Sequence, residues 1–152
     1  MYHTIVVAFD GADMGAAALQ QAADLAHLTK AQLHLLGVVV SSGGLLLDPA
    51  MVPFDVLEVE RQALLDALLQ VSQALQQRGV MAQTVIRDGE PAREIIAYVA
   101  EVRADLVVIG PSHKSVLARW FEGSVGAHLL EAMPCSVLVT AAAPMQRDIM
   151  PH

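Results

Sequence analysis

Short runs of uninterrupted apolar residues alternate along this chain with longer stretches whose apolar positions recur every three or four residues. The runs His3 to Phe9, Leu33 to Val40, Met81 to Arg87, Leu106 to Ile109 and Ser136 to Thr140 predict five strands. The intervening stretches predict helices. The first, Met14 to Leu28, is rich in alanine, which favours helix and permits close packing on a sheet. The second, Asp55 to Arg78, carries Leu57, Leu64, Leu68, Val71 and Leu75 on one stripe and stops at Gly79. Pro91 suits the first turn of a third helix, with Ile95, Val99 and Val102 as its inner face. Val125 to Ala132 predicts a fourth, ended by Met133-Pro134.

The punctuation between these elements agrees. Asp10-Gly11-Ala12-Asp13 breaks the first strand, and Asp13 suits a helix N-cap. Ser41-Ser42-Gly43-Gly44, with Pro49 and Pro53, marks a long loop of the kind often tied to function. Asp88-Gly89-Glu90 reads as a turn. Strict alternation of strand and helix, with near-continuous Val/Ile/Leu strands, predicts an α/β fold. The expected form is a doubly wound five-stranded parallel sheet with helices on both faces. Ligands in such sheets lie beyond the carboxyl ends of the strands, where the winding reverses. The loops after strands one, two and four are therefore the candidates. The fifth strand, with Val137, Leu138 and Val139, is expected at an open apolar edge that invites pairing with a second copy.

Composition narrows the function. The chain has 152 residues and a net charge of -7, which disfavours a basic nucleic-acid-binding face. Apolar residues make up 55% of it, yet no run approaches the roughly 18 residues of a membrane span. One domain over 1–141 with a flexible tail at 142–152 is the expected organisation. The start runs straight into a strand without a leader pattern, and Cys135 is the single cysteine, so a cytoplasmic location is expected. Cys135 is expected to be a small buried residue. His3, His27, His34 and His128 share no catalytic spacing and are expected at the surface or partly buried.

The segment Gly110 to Val125 carries the chemistry. It follows the bare strand Leu106-Val107-Val108-Ile109 and ends in Gly123-Ser124 at a predicted helix start. Unpaired N–H groups and the helix dipole at such a start favour an anion. The same Gly-Ser pair also suits a plain helix cap. No general base, arginine finger or Walker-type lysine stands out, so any phosphoryl transfer is expected to be slow. No cluster has metal-ligand spacing.

Three pieces carry a family resemblance: Val6 to Asp10 ending strand one, Gly89-Glu90-Pro91 before Glu94-Ile95-Ile96, and Asp105 to Gly110 followed by Gly123-Ser124-Val125. In order and spacing they resemble the universal stress protein family, from Ile5 to Thr140. The family's nucleotide signature is Gly, two residues, Gly, nine residues, Gly, then Ser or Thr. Gly110, Gly123 and Ser124 match it, whereas His113 replaces the middle glycine. Glycine there permits positive φ and close approach of backbone to phosphate. The imidazole either fills that space or donates to an oxyanion. Ala12 and Ser136 depart from the common Ser and Pro of the family.

The resemblance implies an adenine nucleotide alpha hydrolase-like fold and a site for ATP or AMP, with Mg or Mn on the phosphates. Asp10 would accept from ribose or adenine, and Val38 would form an apolar wall for adenine. Ile109 and Gly110 would lie beside the ribose and α-phosphate. Gly123, Ser124 and Val125 would offer N–H groups and the Ser124 hydroxyl to the phosphates. His113, Lys114 and Arg119 are further phosphate candidates by charge. A homodimer through strand five is also implied. The alternative is a dimeric interaction module of the same fold that has lost its nucleotide.

Overall fold

The computed structural model describes residues 1–9, 16–40, 54–110 and 130–140. Five strands are seen: β1 (Thr4–Phe9), β2 (Gln32–Val40), β3 (Ala82–Gly89), β4 (Leu106–Ile109) and β5 (Ser136–Val139). Three helices alternate with them: α1 (Ala16–Thr29), α2 (Phe54–Gln77) and α3 (Pro91–Glu101). Of the expected fourth helix, only 130–132 fall within the described residues, and they are helical. The expected tail at 142–152 lies outside them, as do the loops that follow β1, β2 and β4.

The strands form one parallel sheet in the order β3-β2-β1-β4-β5. The chain winds outward from β1 to β3, then crosses over and continues on the other side through β4 and β5. Alternate side chains of the buried strands divide between two cores. Ile5, Val7, Leu33, Leu35 and Val108 pack with Ala18, Ala22, Leu64, Leu68 and Leu75, against α1 and α2. Val6, Ala8, Leu36, Val38, Val107 and Ile109 pack with Ala92, Ile95, Tyr98 and Val99, against α3. Two covered faces account for strands without polar alternation.

Three of the expected stripe residues of α2, Leu64, Leu68 and Leu75, are buried. Gly79, at φ 81°, ends that helix, with Val80 N–H donating to the Leu75 carbonyl at 2.9 Å and Gly79 N–H to Gln76 at 3.0 Å. This is the Schellman arrangement. Lys30 and Arg103 take the same left-handed place after α1 and α3, at φ 56° and 53°. There Ala31 N–H donates to Ala26 and Ala104 N–H to Val99. At the other end of α3, the Glu90 carboxylate accepts from the Ala92 and Arg93 N–H groups, ahead of Pro91.

Two sequence expectations change. Asp88 and Gly89 are strand, not turn, because β2 extends far enough to pair with them through Val39 and Val40. Gly89 reaches this position at φ 147° with the Glu94 side chain against its Cα. His34 is neither a surface nor a partly buried residue but 5% exposed, because its place in β2 turns it under α3.

Gly37 sets the approach of α2 to the sheet. A Cβ on it would stand 2.8 Å from Leu64 Cδ2 and 2.9 Å from Leu68 Cδ1. Gly37→Ala should destabilise the fold by about 1–3 kcal/mol through overpacking, measured by urea unfolding. A neutral result would show that α2 shifts without cost.

Candidate functional site

The winding reverses between β1 and β4, so the crevice of this sheet opens beyond Phe9 and Ile109. At the ends of these strands the described side chains, Ala8, Phe9 and Ile109, are apolar and buried. Val38 and Ile109 are each 1% exposed and share the α3 face of the sheet, with Ala8 of the intervening β1 in the same cluster. Gly110 follows and is half-buried.

The end of β4 is held by a residue that sequence reasoning did not single out as a site residue. The Ile109 carbonyl accepts from the Thr140 backbone N–H at 3.0 Å and from its hydroxyl at 3.4 Å. Thr140 is 2% exposed. No cis peptide occurs among the described residues, so the Gly110 N–H points opposite to that carbonyl, away from β5 and toward the β1 side. A threonine ending an apolar strand is a common pattern, and no sequence signal separates this one from strand chemistry.

The amino ends of the same two strands are tied as well. The Asp105 carboxylate accepts from the His3 N–H at 2.7 Å and the Thr4 N–H at 2.8 Å, while Asp105 N–H donates to the Thr4 carbonyl. These two backbone donors, His3 first, hold the Asp105 carboxyl below its ordinary value. The motif Asp105 to Gly110 therefore begins with a structural clamp and ends at the crevice.

Of the expected site residues, the structure brings together Val38, Ile109 and Gly110. Asp10, His113, Lys114, Arg119, Gly123, Ser124 and Val125 lie outside the described residues. Cys135 is half-buried instead of fully buried; burial pushes its thiol up, and its Sγ donates to the Ser136 carbonyl at 3.4 Å.

A profile of the Universal stress protein family matches residues 1–141. The chain belongs to that family. Universal stress protein YxiE of Bacillus subtilis is 31% identical over 146 residues, covering 91% of this chain and 99% of its own. Among solved structures, universal stress protein UspA from Lactobacillus plantarum superposes with a TM-score of 0.71 at 25% identity, over 91% of this chain and 99% of its own. A universal stress protein in complex with cAMP shares the fold at TM-score 0.68 and 23% identity, over 93% of this chain and 99% of its own. The sheet is thus of the adenine nucleotide alpha hydrolase-like type. Among the described residues no helix is long and apolar enough to cross a membrane.

The Asp105 clamp makes a pH-dependent prediction. Its folded pKa lies below the ordinary 3.8, so its stabilisation is full above that value and fades as pH falls through and below it. Asp105→Asn should lower the Tm most at neutral pH, and its gap to the wild type should narrow below about pH 4. A pH-independent gap in thermal melts would show that the charge is not what holds the two strand ends.

Proposed function

We propose that this universal stress protein binds an adenine nucleotide in the crevice between β1 and β4 and acts in a cytoplasmic stress or signalling response with little or no hydrolysis. The observation that carries the reading is the strand reversal at Phe9 and Ile109, with the apolar Val38 and Ile109 near the strand ends and a Gly110 that has no side chain to exclude a ligand. An adenine ring suits apolar surroundings, and main-chain N–H groups at Gly110 and at the helix start expected at Gly123-Ser124-Val125 would suit phosphate. Asp10 would take the ribose or adenine, and His113 and Arg119 would lie near the phosphates. Mg or Mn would bind through the phosphates. The cAMP held by one structural neighbour supports an adenine nucleotide as the ligand class.

A homodimer through β5 accompanies this reading. Val139 is 43% exposed on an edge strand, and a groove of about 500 Å3 along the same strand is lined by apolar residues such as Leu25, Leu28 and Leu138 together with Gln21, Asp24 and Ser136. A second copy would cover both. A monomeric mass across micromolar concentrations would overturn the dimer without touching the nucleotide reading.

One feature favours the alternative, an interaction module without nucleotide: His113 in place of the middle glycine of the signature. The two readings separate in thermal melts with ATP, AMP or cAMP, with and without magnesium. Nucleotide at a hundredfold excess over Kd should stabilise the wild type by about 2.7 kcal/mol. If the wild type shows no shift at millimolar nucleotide and His113→Gly does, the imidazole blocks the cradle and the interaction module is the correct function.

A further inference from the structure

Among the described residues, one histidine is buried in the α3 layer of the sheet. His34 projects from β2 into this layer, and its Nδ1 lies 2.7 Å from the Tyr98 hydroxyl of α3. The two rings are tilted at 57°, with centroids 5.8 Å apart. Tyr98 is 4% exposed. The second nitrogen, Nε2, is buried and has no hydrogen-bond partner among the described residues. In either neutral tautomer, one ring nitrogen is left unsatisfied.

Among the described residues, no carboxylate pairs with His34. Its register neighbours are Val6 on β1 and Gln83 on β3, both uncharged. From β3, the Arg87 guanidinium stands 5.4 Å from the Tyr98 ring centroid. From α3, Glu101 pairs with that same Arg87 at 2.7 Å and is exposed. That carboxylate is thus committed to Arg87.

Protonation would turn both ring nitrogens into donors. One could donate to the Tyr98 oxygen; the other would be a charged N–H with no acceptor among the described residues. Burying such a group is costly unless it is paired. The closed packing of α3 therefore disfavours the imidazolium, and burial accordingly lowers the affinity of His34 for a proton.

We propose that His34 and Tyr98 form an acid-sensitive latch between β2 and α3, which releases α3 from the sheet when His34 takes up a proton. The release is local to the α3 layer because the apolar cores of α1 and α2 pack on the opposite face of the sheet. Its consequence reaches the crevice, since α3 covers the layer that contains Val38 and Ile109. The latch itself does not depend on the nucleotide reading.

The linkage has a definite sign. The closed state holds His34 neutral and the open state restores its ordinary value of 6.5, so opening takes up a proton and is promoted as pH falls below that value. One proton raises the opening constant by at most about tenfold per pH unit, until His34 protonates in the closed state as well. Hydrogen exchange of the intact protein between pH 7.5 and 5, normalised to unstructured-chain rates at each pH, reads this directly. The expected result is progressive loss of protection in the α3 amides below about pH 6.5, with α1 amides unchanged, and no such loss in His34→Phe. Equal protection of α3 across the range, or parallel loss in α1 and α3, overturns the latch. So does a loss that persists in His34→Phe. Should that variant fail to fold, NMR of the His34 ring in the wild type decides. Titration at the ordinary histidine value with α3 protection intact would overturn the proposal, and a neutral ring until α3 opens would support it.

Discussion

Pairing of β1 with β4 is the constraint on which the rest of this structure depends. Every other strand is reached from β1 by winding outward in one direction or the other, and the two directions meet only at this ladder. Four register pairs, Ile5 with Leu106 through Ala8 with Ile109, make it. Asp105 fixes its amino end through two backbone donors, and Thr140 holds the last β4 carbonyl at the other end. If the ladder slipped by one residue, each β4 side chain would move to the opposite core. In a sheet of this order the ligand crevice is expected beyond the carboxyl ends of these two strands.

The two layers over the sheet have different characters. The α1 and α2 layer is wholly apolar at its centre and close-packed enough that Gly37 leaves no room for a methyl group. Stability there comes from area removed from water and from shape. The α3 layer has a comparable apolar core but admits His34, Tyr98 and the flanking Arg87–Glu101 pair. A buried polar contact with one atom unsatisfied contributes less to stability than an apolar pair of the same shape would. It also makes the layer sensitive to protons, which an apolar pair could not do.

Most of the elements were legible in the sequence. The expected β4, Leu106 to Ile109, agrees with the structure at both ends, because a four-residue apolar run between Asp105 and Gly110 leaves no other choice. The stripe of α2 was legible because helical period is a local property. The stop at Gly79 was legible for the same reason, whereas the identical stops at Lys30 and Arg103 were not. Neither residue signals a left-handed backbone; the hydrogen bonds of the helix end impose it. The length of β3 was misread at Asp88 and Gly89, since a local turn signature yielded to pairing with a longer neighbour. For the candidate site, the sequence pointed to Val38, Ile109 and Gly110, and the fold gathers these at one end of the sheet.

The alternation of strand and helix, the parallel buried sheet and the family likeness can be read along the chain, because period, run length and motif spacing are local. Which residues meet across the sheet follows from the fold alone. Thr140 meets Ile109 from 31 positions away, Asp105 meets Thr4 from 101, and His34 meets Tyr98 from 64. Such contacts depend on strand order and on the face each residue takes. A hydrogen-bonding partner so distant leaves no trace in the local pattern, and the burial that turns a histidine in an apolar strand into a proton-sensitive contact exists only once α3 has closed over it.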